Sequence, residues 1–223
     1  MIGSVMYPMI QTRPDLAFTL GKLARYSSNP DHTHHMAMMR VFHFLRRHPD
    51  YGVTLRTHEG DDHVTRLGKV VGYVDADYAG CLDSRRSTTG MVFMMANGPI
   101  LWSSKLQPTV SMSTCEAEYT AIAAAGREAV WITNILREMG FEGVEPMTIY
   151  TDSESAIKLS QNQQFYARTK HIDVQCHWIR EAIANGRIKL QYLHTSEMKA
   201  DMLTKALGRV KFDQMVDLVG MKP

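Results

Sequence analysis

The stretch KVVGYVDADYAG, residues 69–80, decides the fold of this chain. Its first half, VVGYV, is β-branched and aromatic, which is typical of a buried strand. Asp75 and Asp77 then follow two residues apart, and residues at that spacing in a strand point to the same face. Carboxylates on a buried face repel each other and lose hydration, so a partner is needed to hold Asp75 there. We expect Asp77 to lie just past the strand, near the turn.

Composition is that of an ordinary globular protein. The chain has 223 residues, which is enough for one or two domains with a hydrophobic core. Of these residues, 44% are hydrophobic and 22% are charged. No apolar run approaches the ~18 residues that span a bilayer, and the first residues lack the pattern of a secretory signal. The cysteines, Cys81, Cys115 and Cys176, show no C-x-x-C spacing and favour free thiols in a reducing compartment.

Basic residues concentrate in the C-terminal third. The whole chain has a net charge of +2, but residues 158–211 carry ten Lys or Arg against four Asp or Glu, a net +6. The remainder therefore carries −4. This asymmetry indicates a polyanionic partner, although a merely solvated basic face would give the same count.

The texture of the sequence changes near residue 67. Before it, apolar residues recur at helical spacing and then give way to a polar, glycine-containing segment, which predicts a small helical segment. After it, the predicted order is β-β-β-α-β-α-α-β-α, with a long helix over residues 113–139 and a last helix over EMKADMLTKAL, residues 197–207. A GDD triplet at residues 60–62 resembles a polymerase metal motif, but its polar flanks argue against that interpretation.

Two glutamates open the long helix, and they have different predicted tasks. Ser113 and Glu116 have the spacing of a capping box, in which each side chain bonds the other's backbone. Glu118 instead begins an apolar stripe that continues at helical spacing to Leu136 and should pack on the sheet. A carboxylate on that face is costly unless something neutralises it.

Two further acids, Asp152 and Asp201, follow a strand and open the last predicted helix, respectively. Each alone would be an ordinary helix-cap or first-turn residue. If the fourth strand lies beside the first, both become neighbours of Asp75 and Glu118. Clustered carboxylates suit Mg²⁺ or Mn²⁺, and a pair of such ions is the usual device for in-line attack on a phosphodiester.

Several stretches, in order and in spacing, resemble the C-terminal part of a copia-type retrotransposon Pol polyprotein, where the end of the reverse transcriptase precedes a ribonuclease H domain. The stretches are MIGSVMYPMIQTRPDLAF, RVFHFLRRHPDYGVTL, YVDADYAGCLDSRRSTTG, ILWSSKLQPTVSMSTCEAEYTA, IYTDSESAI, RTKHIDVQCHWIRE and ADMLTKAL. Each is weak by itself, but the ordered set is specific and covers nearly the whole chain.

The resemblance implies an α/β, ribonuclease H-like fold: a five-stranded mixed sheet, three antiparallel strands then two parallel, flanked by helices. It implies three parts: residues 1–66 as the thumb- or connection-like helical end of the reverse transcriptase, 67–212 as the ribonuclease H-like domain, and 213–223 as a tail. The expected activity is metal-dependent hydrolysis of the RNA strand of an RNA–DNA hybrid. The family's four metal-binding catalytic acids fall on Asp75, Glu118, Asp152 and Asp201.

The resemblance also implies cofactors, partners and a place in the cell. The cofactor is two Mg²⁺ or Mn²⁺ ions, with no small-molecule cofactor. The expected partners are the hybrid and the reverse transcriptase palm of the same polyprotein, and that palm is missing here. No membrane contact is expected. The protein is expected in the cytoplasm, within a virus-like particle, or in the nucleus, and it is not expected to be secreted. The family often has a mobile catalytic histidine before the last helix, for which His194 is the candidate, although its spacing to Asp201 is shorter than in cellular enzymes.

Substrate contacts are predicted at two places. Ser111, Ser113 and Thr114 begin the long helix, where free backbone N–H groups and hydroxyls can seat a phosphate. Arg168, Lys170 and His171, in RTKH, precede another helix and could hold the backbone of one strand, or could equally form a structural turn.

Two other functions compete with the nuclease. A transposase or integrase of the same fold would carry its third acid on a late helix, whereas Glu118 directly follows the three-strand meander. A catalytically silent module that only binds nucleic acid or tethers a polymerase would be marked by loss of one acid, and all four are present.

Overall fold

Helices and strands follow the predicted order, with additions at both ends. The computed structural model describes residues 1–56, 69–161 and 170–222. Its helices are α1 (Ile2–Gln11), α2 (Ala17–Ala24), α3 (His32–Arg47), α4 (Thr114–Glu138), α5 (Glu154–Gln161), α6 (Lys170–Ala184) and α7 (Arg209–Leu218). Its strands are β1 (Gly52–Val53), β2 (Val71–Asp77), β3 (Thr88–Met95), β4 (Gly98–Leu106), β5 (Met147–Thr151), β6 (Ile188–Tyr192) and β7 (Met221–Lys222). No described helix is both long and apolar enough to cross a membrane.

The central sheet has the predicted ribonuclease H-like arrangement. Its strand order is β4-β3-β2-β5-β6, with β2, β3 and β4 antiparallel and β5 and β6 added in parallel. Tyr73 of β2 pairs with Tyr150 of β5. Two residues further along both strands, this register sets Asp75 opposite Asp152 at one edge of the sheet. Asp77 is the last residue of β2 rather than a residue beyond it.

The long helix α4 packs its apolar stripe on the sheet, as predicted. Ile122, Ala125 and Ala129 are fully buried, and Leu136 is 6% exposed. Alanine side chains allow the helix axis to approach the strands closely, because they add little volume between the two layers. This close approach carries the first turns of α4, with Glu118, to the edge where β2 and β5 end.

The last predicted helix is wrong in type. Residues 197–207 form no α-helix; the chain makes two short 3₁₀ helices, Thr195–Glu197 and Lys199–Leu203, and an α-helix begins only at Arg209. The physical reason is burial on every side, since all residues from Ala200 to Thr204 are buried. An α-helix on a surface buries one stripe, and this segment is instead held between β3 and α7.

Both ends of the chain contain structure beyond the predicted elements. The helices α1, α2 and α3 share an apolar core of their own that includes Leu20 and Val41. Residues 213–223, predicted as a tail, contain more than half of α7 and the strand β7, which pairs antiparallel with β1. The division into three parts stays a prediction, and its boundary near residue 67 and the GDD triplet lie outside the described residues.

A glycine in β3 provides the room for the Asp201 segment. A Cβ at Gly90 would lie 2.5 Å from Thr204 Cγ2, 2.9 Å from Leu203 Cβ and 3.0 Å from the carbonyl oxygen of Ala200. We expect Gly90→Ala to lower the free energy of unfolding by about 1–3 kcal/mol, as overpacking does. Urea unfolding measures this loss. Gly3→Ala is the matched control, because a Cβ there meets nothing within 4 Å; equal effects of the two changes would contradict the packing argument.

Candidate active site

Three of the four predicted acids come together at the edge of the sheet. Asp75 lies near the end of β2, Glu118 in the first turns of α4, and Asp152 directly after β5. One carboxylate oxygen from each lies within 4.8 Å of the others. The arrangement follows from topology, because parallel neighbours β2 and β5 end at the same edge and α4 crosses above them. We call Asp75, Glu118 and Asp152 the acid cluster.

Asp201 adjoins the acid cluster through lysine contacts. It is fully buried, and Lys205 Nζ lies 2.8 Å from its Oδ1 and 3.5 Å from Asp75 Oδ2. Lys211 of α7 forms an ion pair with the other oxygen of Asp201. The Thr204 hydroxyl donates a hydrogen bond to Asp75 Oδ2. The segment after Asp201 therefore supplies two ammonium groups and one hydroxyl to two of the four acids.

The electrostatics of the site are those of crowded, buried carboxylates. Burial raises the pKa of Asp75 to about 6, although Lys205 and the Thr204 hydroxyl act against it. Burial, followed by repulsion from Asp75 and Asp152, raises the pKa of Glu118 to about 9. For Lys205, burial lowers the pKa, but the negative charges of Asp75 and Asp201 outweigh it and raise the pKa to about 12.

The donor set fits a hard divalent cation. Glu118 Oε2 is buried and has no hydrogen-bond partner among the described residues. Every ligand atom that the acid cluster offers is a carboxylate oxygen, the type that Mg²⁺ and Mn²⁺ prefer. A buried oxygen without a partner costs free energy unless a cation or water completes it. The residues present therefore suit a divalent metal ion.

The two glutamates of α4 separate as predicted. Ser113 is the N-cap, and its Oγ accepts a hydrogen bond of 3.1 Å from Glu116 N. Glu116 Oε2 reaches back to the backbone N–H of Met112 at 2.8 Å, one residue before the cap. Glu116 thus stabilises the start of the helix, whereas Glu118 faces Asp75 and Asp152.

The predicted phosphate seat is only partly open. Ser113 and Thr114 are exposed at the start of α4, but Ser111 is buried and its hydroxyl donates to Gln107 Oε1 at 3.1 Å. Ser111 therefore supports the loop through Gln107, and its hydroxyl is not presented at the helix N-terminus.

Gln107 is a residue that sequence reasoning missed. Its Nε2 donates to the carbonyl oxygen of Ala117 at 2.9 Å and to Thr89 Oγ1 at 3.1 Å, so one buried amide joins β3 to the start of α4. Glu118 directly follows Ala117 in that helix, which makes Gln107 a support for the position of the acid cluster. Nothing in the local sequence distinguishes this glutamine.

The remaining predicted contacts have another observed interaction or lie outside the described part of the chain. His194 is exposed and caps a 3₁₀ helix, its Nδ1 accepting from Ser196 N at 3.3 Å, and its catalytic role stays a prediction. Arg168 lies outside the described residues, and the side chains of Lys170 and His171 do too, although α6 begins at Lys170.

Thr204, Lys205 and Lys211 were also missed. Thr204 and Lys205 follow Asp201 by three and four residues, a spacing that brings side chains together on one helical turn. That spacing was the available signal. Lys211 carries no such signal, because α7 folds back onto Asp201 only in the tertiary structure.

Known proteins with similar sequences are parts of transposons, among others. The chain is 43% identical over 222 residues, 99% of its length, to the Retrovirus-related Pol polyprotein from transposon TNT 1-94 of Nicotiana tabacum, of which it covers 16%. It is 44% identical over 134 residues, 59% of its length, to the Secreted RxLR effector protein 161 of Plasmopara viticola, of which it covers 88%. No protein-family model matches the chain.

Solved structures give a further comparison. LC11-RNase H1, isolated from compost, superposes with a TM-score of 0.48 at 16% identity, covering 68% of this chain and 97% of that protein. The sequence match to the transposon relative, by contrast, runs along nearly the whole length of this chain. The predicted resemblance to copia-type retrotransposon Pol polyproteins is confirmed, and the chain spans about a sixth of the length of the transposon relative it matches.

Proposed function

We propose that this chain is a metal-dependent endonuclease that hydrolyses the RNA strand of RNA–DNA hybrids during retrotransposon reverse transcription. The observation that carries the proposal is the acid cluster, in which three carboxylates from separate elements approach within 4.8 Å and Glu118 Oε2 has no hydrogen-bond partner among the described residues. Like-charged groups are not brought together in a buried place by packing alone.

Asp75, Glu118 and Asp152 would hold the metal, and Asp201 would border the same site. Two Mg²⁺ or Mn²⁺ ions bound there would supply an activated water and offset negative charge on the phosphate under attack. The chain's own residues position these groups. β2 and β5 fix two acids on rigid strands, and Gln107 fixes the helix that carries Glu118.

Lys205 and Lys211 would keep the acids in place before metal arrives. Their ammonium groups contact both oxygens of Asp201, and Lys205 also lies beside Asp75. These contacts lower the repulsion that would otherwise separate the strand end from the Asp201 segment.

A second candidate function is a silent module that binds nucleic acid or tethers the polymerase. It is favoured by the same lysines, because they already supply positive charge to two of the four acids. The two candidates differ in one measurable property, the cleavage of a hybrid. In either case the reverse transcriptase palm of the same polyprotein is the proposed partner.

The first test is hybrid cleavage by paired glutamine variants. Glu118→Gln should lower the cleavage rate by roughly 100-fold or more, because it removes a charged metal ligand. Glu116→Gln should cleave near the wild-type rate, since glutamine also serves in helix capping. The measurement uses a labelled RNA–DNA hybrid in Mg²⁺, Mn²⁺ or EDTA, and products should carry 5′-phosphate and 3′-hydroxyl ends. Undiminished cleavage in EDTA, or an active Glu118→Gln, would exclude the proposed mechanism.

We also expect Glu118→Gln to change the stability of the metal-free protein. The folded-state pKa of Glu118 is raised, so the folded protein binds more protons than the unfolded chain between about pH 4.5 and pH 9. Its stability therefore falls as pH rises through that window. The Glu118→Gln variant cannot titrate at this position, so its stability should not fall in this way. In EDTA its free energy of unfolding should exceed that of the wild type by about 1–3 kcal/mol at pH 8 and by less at pH 5. Denaturant melts at both pH values measure the difference, and a pH-independent difference would contradict it.

The lysine contacts give a further stability prediction. Lys205→Ala leaves two buried carboxylates with less positive charge and should cost about 1–2 kcal/mol in EDTA, between the values for exposed and buried ion pairs. Lys158→Ala is the control, because its pair with Glu154 is exposed and should contribute at most about 0.5 kcal/mol. Urea unfolding compares the two. A loss no larger for Lys205 than for Lys158 would show that Lys205 does not hold the acids.

A further inference from the structure

A groove separates α3 from α7 on the side of the molecule formed by the chain ends. It encloses a cavity of about 910 Å³. Four partly exposed rings line it: Phe44, His48, Tyr51 and Phe212. Phe44 meets Phe212 edge-on at 5.9 Å between ring centroids, and His48 lies 4.4 Å from Tyr51. These rings give the groove an aromatic floor.

The floor is held in place by a buried ion pair. Arg13 is 4% exposed, and its Nη2 lies 2.7 Å from Asp15 Oδ2. The Arg13 Nη1 also donates to the carbonyl oxygen of His48 at 3.2 Å, and the guanidinium lies over the rings of Phe44 and Tyr51 at 5.5 and 5.8 Å. Since Arg13 and Asp15 neutralise each other, they fix the rings without adding net charge.

The rim of the groove is cationic. Arg40 and Arg47 are seven residues apart on α3, so they lie on one face of the helix, and His43 lies between them. All three are exposed. Within the described part of the chain, neither Arg40 nor Arg47 has an acidic partner. Two unpaired guanidinium groups beside an aromatic floor form a combination that internal packing does not require. We call this the arginine groove.

Helix α7 joins the arginine groove to Asp201, which adjoins the acid cluster through Lys205. Its Lys211 contacts Asp201, whereas its Arg209 and Phe212 line the groove. An α-helix with side chains is about 10 Å wide, so the two sites lie on two sides of one helix. Helix α7 is therefore the element past which a nucleic-acid strand leaving the acid cluster would reach the groove.

We propose that the arginine groove binds a single-stranded extension of the hybrid substrate. The inference rests on the proposed function of the acid cluster. Guanidinium groups bind phosphates in a bidentate manner, and aromatic rings stack on unpaired bases. Bases inside a duplex are already stacked on each other, so an aromatic floor has use only for a strand that extends past the duplex. This favours a single strand over the paired hybrid as the occupant.

The test compares binding of a blunt RNA–DNA hybrid with hybrids that carry a 5′ or a 3′ single-stranded overhang. Fluorescence anisotropy in EDTA measures affinity without cleavage, over a range of salt concentrations. The wild type should bind one overhang hybrid about tenfold more tightly than the blunt hybrid, as expected from one stacked base. Arg40→Ala with Arg47→Ala should abolish this preference. For the overhang hybrid, the slope of log affinity against log salt should be smaller in magnitude for this double variant than for the wild type by about 1.4, the value for two phosphate contacts on a single strand.

Matched variants separate this role from general charge. Arg46→Ala with Arg127→Ala removes two exposed arginines outside the groove and should keep the overhang preference. Arg40→Lys with Arg47→Lys should restore most of the salt slope. Equal binding of blunt and overhang hybrids by the wild type would overturn the proposal. A protein segment would then be the better candidate for the ligand of the groove. Retained preference in the Arg40 and Arg47 alanine variant would also overturn it. Cleavage of the blunt hybrid in Mg²⁺ tests the nuclease separately, so failure of one proposal is distinguishable from failure of the other.

Discussion

The repulsion between carboxylates gathered at one edge of the sheet is the constraint on which the rest of the structure depends. Asp75, Glu118 and Asp152 lie together, and buried Asp201 lies beside them. In a poorly hydrated place such charges separate unless cations lie between them. Lys205 and Lys211 supply part of this positive charge from within the chain, because they form ion pairs with Asp201 and, for Lys205, with Asp75. Neither lysine bonds Glu118 Oε2, which has no hydrogen-bond partner in the part of the chain that the structure describes.

Close packing is what keeps these groups from moving apart. Alanines on α4 let the helix lie near the strands, and Gly90 leaves space for the segment that carries Asp201. Gln107 joins β3 to the start of α4 through two hydrogen bonds. Each device brings a segment that carries one of the acids closer to the strands of the sheet. The scaffold thus holds an arrangement that the charges alone oppose, which is how a preorganised site is built.

The two chain ends add a second surface to this scaffold. The β1–β7 pair and the contact of Phe44 with Phe212 hold the end of α3 against α7. Helix α7 then serves two sites, with Lys211 at Asp201 on one side and Phe212 in the groove on the other. The unpaired charge on the groove side comes from Arg40 and Arg47 of α3, and so it is separate from the basic residues of the C-terminal third.

Local patterns in the sequence determined the order of the strands, the buried stripe of α4, the cap at Ser113 and the positions of Asp75, Glu118 and Asp152 at element ends. These features depend on residues a few positions apart, so periodicity and capping rules reveal them. Only the tertiary structure decided that Asp201 is held by Lys205 and Lys211, that its segment is 3₁₀, that Gln107 supports α4, and that β7 pairs with β1. Those contacts join residues distant in the chain, or depend on burial from all sides, and a short window of sequence carries no record of either.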